Sequence, residues 1–280
     1  MAIFALVSLG LGSWAFWWEP SSLVVRENRL ELADWPPDLD GLRIAVLADL
    51  HIGSPFNGIG KLKKIVKTTN AVGPDLILLP GDLMNGEIPG GAIIEPPTFA
   101  AVLQELKAPL GVYAVLGNHD WWEGPDAVRE ALENVGIRVL QNEVTVLTVG
   151  ETSIRLAGLG DFMTGHSDPA LPDMDDEQTP LIVFTHSPDV FPLIGDRAAL
   201  TIAGHTHGGQ VKFPFVGQLV VPSRYGQRFV MGHIVERGRH LFVSPGLGTS
   251  ILPVRFMVPP EISVLILESA KGVHQRAVER

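Results

Sequence analysis

The stretch Leu42-Arg43-Ile44-Ala45-Val46-Leu47-Ala48-Asp49-Leu50-His51 is an apolar run that ends on two side chains able to bind a cation. The design recurs four times downstream. Gly81-Asp82 follows the apolar run 76–80, Gly117-Asn118-His119-Asp120 follows 112–116, His186 follows 181–184, and Gly204-His205-Thr206-His207 follows 200–203. Helical patterns at 59–70, 98–106 and 125–135 separate strand patterns at 42–48, 75–79 and 111–116, which gives the order β-α-β-α-β. Short apolar strands alternating with helices predict a buried, largely parallel sheet.

Beyond Gly136 the strand patterns come faster, at 137–140, 143–149 and 153–158, and an acidic loop runs through Asp173-Met174-Asp175-Asp176-Glu177. The second half continues with strands at 181–185, 199–203, 233–236, 239–243 and 262–267 and a helical pattern at 188–194. This many strands predicts two sheets. Upstream, 23–32 alternates apolar and polar residues like a strand, and Trp35-Pro36-Pro37 ends it. The segment 208–232 is rich in Gly, Pro and aromatic residues without a period, and reads as a long loop bordering the substrate.

Composition narrows the function. A formal charge of −10 argues against a nucleic-acid surface, which needs clustered Lys and Arg. With no Cys, disulfides, zinc-thiolate sites and thiol nucleophiles are excluded, and metal ligands must be carboxylates, imidazoles or amides. Residues 1–18 carry no charged side chain, and Trp14, Trp17 and Trp18 cluster at one end, as indoles do at a membrane boundary. Residues 1–20 therefore read as a membrane anchor, with a cleaved export signal or a buried helix as competitors. Arg26 and Arg29 just beyond them lean toward a cytoplasmic catalytic domain. Residues 21–270 read as one domain and 271–280 as a polar tail.

At the carboxyl ends of strands, side chains from several loops converge. Alternation along an extended strand would send Asp49 and His51 to the same side. Two cations about 3.5–4 Å apart can hold the attacking and leaving oxygens of an in-line phosphoryl transfer if an anion bridges them. Asp82 is the expected bridge, and Gly81 before it permits a tight turn. The nucleophile is expected to be a metal-activated hydroxide. Asn118 can offer its amide oxygen to a metal, His119 is placed to protonate the leaving oxygen, and Asp120 to orient that imidazole. Arg255 is a candidate phosphate contact or the partner of a structural carboxylate.

Together the five motifs resemble the calcineurin-like metallophosphoesterases, whose pattern is Asp-x-His, Gly-Asp, Gly-Asn-His-Asp/Glu, a lone His, then Gly-His-x-His. The resemblance spans about residues 23–268 and implies an α/β, four-layer αββα sandwich of two mixed sheets. Carried over, it implies one metal held by Asp49, His51, Asp82 and His207, another by Asp82, Asn118, His186 and His205, and His119 as catalytic imidazole. The ions would be Mn, Fe, Zn, Co or Ni. The stretches 204–210 and 246–250, with Arg255 and Pro260-Glu261-Ile262, resemble a bacterial membrane-associated subgroup, some of whose relatives hydrolyse UDP-diacylglucosamine. That implies a phosphodiester or pyrophosphate substrate, a lipid-linked one included, at an inner membrane. Pro80 stands where the family more often has Thr or Ser, which alters hydrogen bonding around the ligands and removes none. The competing readings are a catalytically silent metal-binding envelope scaffold and a nuclease of the same superfamily.

Overall fold

The computed structural model describes residues 1–86, 88–173 and 178–270. The chain enters through α1 (Ala2–Ser13), a π-helical turn (Trp14–Trp18) and α2 (Glu19–Ser21), then β1 (Val24–Leu32). Next come β2 (Leu42–Val46), α3 (Ile59–Ala71), β3 (Leu76–Pro80), α4 (Pro96–Leu103), β4 (Val112–Val115), α5 (Asn118–Glu123), α6 (Pro125–Glu133) and β5 (Arg138–Val139). The second half holds β6 (Glu143–Val149), β7 (Thr152–Gly158), β8 (Leu181–Phe184), β9 (Leu200–Ala203), β10 (Lys212–Phe213) and β11 (Gly217–Gln218). It ends with β12 (Gly232–Glu236), β13 (Arg239–Val243) and β14 (Glu261–Ser269). The expected tail 271–280 lies outside the described residues.

Two six-stranded mixed sheets result, in the orders β1-β14-β2-β3-β4-β5 and β12-β13-β9-β8-β7-β6. In the first, β2, β3, β4 and β5 are parallel neighbours and β14 runs antiparallel to β2. In the second, β7, β8, β9 and β13 are parallel and the two edge strands antiparallel. The inner faces meet through Ile44, Leu78, Val115, Leu156, Ile182, Ile202 and Leu265, all buried. Burial on both faces explains why these strands read as unbroken apolar runs.

On the outer face of the first sheet, α3, α4 and α6 contribute Leu62, Val66, Phe99, Leu103, Val128 and Leu132 to a second core. Val128, Ala131 and Leu132 fall three and four residues apart and so share one face of α6. The fourth layer is thin. Residues 188–194, expected helical, form the short 3-10 helix Pro188–Leu193, because Pro192 inside it has no N–H to donate. Val190 and Phe191 from this turn cover the second sheet.

The N-terminal helix, Ala2–Ser21, is long and apolar enough to cross a membrane, and almost none of it is buried. Its base is fastened to the domain. Ala15 O accepts the Arg255 N–H at 2.9 Å, the Glu19 carboxylate accepts from Val258 N and Trp14 Nε1, and Trp14 meets Phe256 edge-on.

Candidate metal centre

All five motifs leave the carboxyl ends of β2, β3, β4, β8 and β9, so the two facing sheets bring them to one end of the sandwich. The local geometry differs from an extended strand. β2 stops at Val46, and Asp49 (φ 51°) and His51 (φ 38°) sit in the left-handed region, as do Asp82 (φ 55°), His205 (φ 71°) and His207 (φ 52°). Left-handed backbone, rather than strand alternation, aims these side chains. Each such non-glycine residue costs about 1–2 kcal/mol, and strained residues of this kind cluster at functional sites. Glycine is required where the loops touch: a Cβ at Gly117 would fall 2.3 Å from Asp82 Oδ1, and one at Gly81 2.5 Å from Gly117 N.

The polar atoms converge on two points. His51 Nδ1 donates to Met84 O at 3.0 Å, which leaves its Nε2 lone pair facing His207 Nε2 at 3.1 Å and Asp82 Oδ2 at 3.5 Å. His186 Nδ1 donates to Pro80 O at 2.8 Å, so its Nε2 faces Asn118 Oδ1 at 3.0 Å, His205 Nδ1 at 3.1 Å and Asp82 Oδ2 at 3.3 Å. A carbonyl can only accept, so each contact fixes which ring nitrogen keeps its proton. The role of Pro80 is played by its main-chain oxygen, and a side-chain hydroxyl there is not needed. Asp49 accepts the His205 N–H at 2.8 Å and joins His51 and His207 in a cluster able to hold an ion.

These residues fit a divalent cation. Ligand atoms about 2.0–2.1 Å from one ion lie roughly 3.0–3.4 Å from one another, which matches the spacings around both histidines. His207 Nδ1 is buried without a hydrogen-bond partner among the described residues. Protonation agrees as well. Burial pushes His51 down to about 4, His205 to about 3 and His207 well below its usual range, so all three present neutral nitrogens. Burial opposes charge on His186 too, but Asp82 and Asp49 carry it up to about 10, while Asp49 is raised to about 7 by burial and by Asp82. Asp82 itself overcomes burial through His186 and His51 and stays well below the carboxylate range.

Two expected roles are corrected. Asp120 does not orient His119: its carboxylate is buried and accepts the N–H groups of Leu83, Met84 and Gly117, each at 2.9 Å. It caps α5 and fastens the loop of Asp82 to the loop of Asn118, a role invisible without the unforeseen helix α5. Arg255 is not placed to reach a substrate phosphate, and among the described residues it forms no ion pair with a carboxylate. It is fully buried, and its guanidinium donates to the carbonyls of Gly248, Val258 and Pro245 at 2.6–3.0 Å. Asp161 is fully buried, and its charge helps to raise His186.

The centre opens into a cavity of about 640 Å³ whose walls include His119, Trp122, Phe213, Leu219, Ile251 and Leu252. Trp122 lies edge-on to His119, whereas Trp121 stacks on His166 outside this cavity. The loop aromatics divide: Phe213 lines the cavity, Phe229 is buried against Phe191, and Phe215 is exposed. His119 donates its backbone N–H to Asp82 Oδ1 at 2.9 Å, and its ring lies over Gly86, where a Cβ would fall 2.0 Å from Nδ1. Gly86 also has φ +68°. Gly86→Ala is therefore expected to displace the imidazole and lower kcat by about 100-fold while Mn²⁺ binding persists. Unchanged kcat on a chromogenic phosphodiester would remove His119 from the chemistry.

The sequence model described as calcineurin-like phosphoesterase matches residues 42–209. The chain is 31% identical to the uncharacterized metallophosphoesterase YkuE of Bacillus subtilis, over 96% of this chain and 94% of that protein. It is also 31% identical to the phosphodiesterase YaeI of Escherichia coli, over 85% and 87% of the two chains. A zebrafish transmembrane protein with metallophosphoesterase domain is 30% identical over 84% of this chain, which spans 55% of its length. The match runs through every motif from Asp49 to His207, and the chain belongs to the calcineurin-like phosphoesterase family of hydrolases.

Proposed function

We propose that this enzyme hydrolyses a phosphodiester or pyrophosphate with two divalent cations held by seven side chains. One observation carries the reading: Asp82 Oδ2 stands at a shared corner, 3.5 Å from His51 Nε2 and 3.3 Å from His186 Nε2. Asp49, His51, Asp82 and His207 form one ligand set and Asp82, Asn118, His186 and His205 the other. Bound there, the cations supply a Lewis acid for the phosphoryl oxygens and a water acidic enough to attack phosphorus. Mixed nitrogen and oxygen donors suit Mn, Fe, Zn, Co or Ni. His119, half-buried at the cavity wall, donates a proton to the leaving oxygen. Asp120 holds the two ligand loops in register.

The hydrocarbon walls of the cavity favour an ester partner with apolar chains, a lipid-linked phosphoester such as UDP-diacylglucosamine. The helix Ala2–Ser21 would keep the domain at a bacterial inner membrane. A net charge of −10 disfavours a nucleic-acid substrate.

Metal binding must displace protons from its ligands, since Asp82 and Asp49 carry His186 up to about 10 and burial raises Asp49 to about 7. Titrating Mn²⁺ into the metal-free protein near neutral pH is expected to release protons, and affinity is expected to rise as pH increases through about 7. Calorimetry in buffers of different ionisation enthalpy reads both. The metal-free fold follows the opposite sign. Groups raised by folding, Asp49 and His186, contribute stability at low pH that is lost as pH rises through about 7 and about 10. His51 and His205 are depressed, so their contribution is lost in acid, as pH falls through about 4 and about 3. The test is Mn²⁺-dependent hydrolysis of a chromogenic phosphodiester, followed by a panel of lipid-linked phosphoesters. Metal uptake without proton release, or no hydrolysis, would count against the centre.

A further inference from the structure

We propose that the loops at the cavity mouth, residues 212–221 and 250–257, insert their apolar tips into the surface of an anionic phospholipid bilayer, beside the helix Ala2–Ser21. The proposal rests on the membrane reading of that helix and adds a second, independent contact.

The tips carry Phe215, Val216, Leu219, Val220, Ile251 and Leu252. Phe215 is wholly exposed, and Leu219, Val220 and Ile251 are more than two-thirds exposed. Phe215 and Ile251 also have φ near +66°, an unfavourable conformation for residues with a Cβ, most of all for β-branched Ile251. Scattered exposed apolar side chains need no explanation, but a contiguous group around a cavity mouth does. The two loops form one rim, because the Gln210 amide donates to Ser250 O at 3.0 Å and accepts the Ser250 N–H at 2.7 Å.

The rim is continuous with the base of the N-terminal helix. Phe213 packs near Phe256, Phe256 meets Trp14, and Arg255 N–H bonds Ala15 O. A helix entering a bilayer at that point brings the rim to the interface with it. Charge agrees. Although 31 of 280 residues are acidic, none occurs in 197–235 or 237–260, and Lys212, Arg224 and Arg228 fall within the first stretch. Arg224 and Arg228 are paired with Asp189 and Glu236, so of these three cations Lys212 is the one the rim itself brings toward anionic headgroups. Amphipathic surfaces of this kind settle about 5–10 Å into the headgroup boundary. With its mouth there, the cavity receives a phosphoester laterally from the lipid layer.

The chain has no cysteine, so Phe215→Cys and Val216→Cys each give a single spin-label site in the full-length protein. Val146→Cys, exposed on β6, serves as reference. The protein is reconstituted into vesicles of phosphatidylethanolamine and phosphatidylglycerol, and collision rates with oxygen and with a water-soluble nickel complex are compared. Labels at 215 and 216 are expected to show an oxygen-to-nickel ratio several-fold above that at 146. A ratio equal to the reference would place the rim in water, and low access to both reagents would place it against another protein copy; either result overturns the proposal. A Phe215→Asp/Val216→Asp variant is expected to lose roughly tenfold in turnover of a vesicle-embedded phosphodiester and to keep its Mn²⁺-dependent turnover of a soluble one. Absence of all hydrolysis would refute the catalytic reading alone, since the collision ratios still decide the docking.

Discussion

Asp82→Ala is expected to reduce kcat/KM on a chromogenic phosphodiester by at least roughly a thousandfold, since removing mere outer partners of metal ligands already costs about 10–100-fold. In the proposed centre Asp82 Oδ2 is the corner common to both ligand sets, so its loss would separate the two clusters. The fold should survive. Asp82 is almost fully buried, and its removal takes away a desolvated charge along with its attraction to His186 and His51. The discriminating readout is metal-linked stability. Metal at 100 times its Kd adds about 2.7 kcal/mol to a protein that binds one ion, and Asp82→Ala should show little of that gain in Tm. A variant that keeps Mn²⁺-dependent turnover would sink the dinuclear reading outright.

Arg255→Ala is expected to destabilise the protein by several kcal/mol, since each buried acceptor left without its donor costs about 1–3 kcal/mol. The carbonyls of Gly248, Val258 and Pro245 would lose their donor, and a buried acceptor without a partner keeps its full desolvation cost. Burial lowers this guanidinium only to about 10, so it remains charged at neutral pH. Arg255→Lys should fall between the two, because an ammonium cannot reproduce the planar fork. Urea unfolding measures the loss, while KM per folded molecule should hardly move. A raised KM at undiminished stability would restore the arginine to the substrate.

The strands were legible because burial on both faces leaves an unbroken apolar run, as in 76–80 and 181–184. The site residues were legible because each run ends on a ligand type. What the sequence did not disclose is mostly non-local. β1 pairs with β14 across more than 230 residues, and nothing in either segment names the other. The left-handed turns at Asp49 and His51 lack a glycine signal, since the loop packing around them imposes the strain. Asp120 was misassigned because its partners, Leu83 and Met84, come from another loop. Arg255 follows an apolar stretch and looks like any cation near a site, and only the carbonyl cage explains its burial. Gly86 gave no hint of the imidazole above it.

The positive φ angles at Asp49, His51, Asp82, His205 and His207 set this centre against neutral drift. At each of these positions glycine relieves backbone strain, and asparagine tolerates the same conformation better than histidine does. Once a lineage no longer requires turnover, thermodynamic selection will favour replacing the very residues that ligate. A related chain that has lost metal-dependent turnover is therefore expected to carry glycine or asparagine first at these left-handed positions.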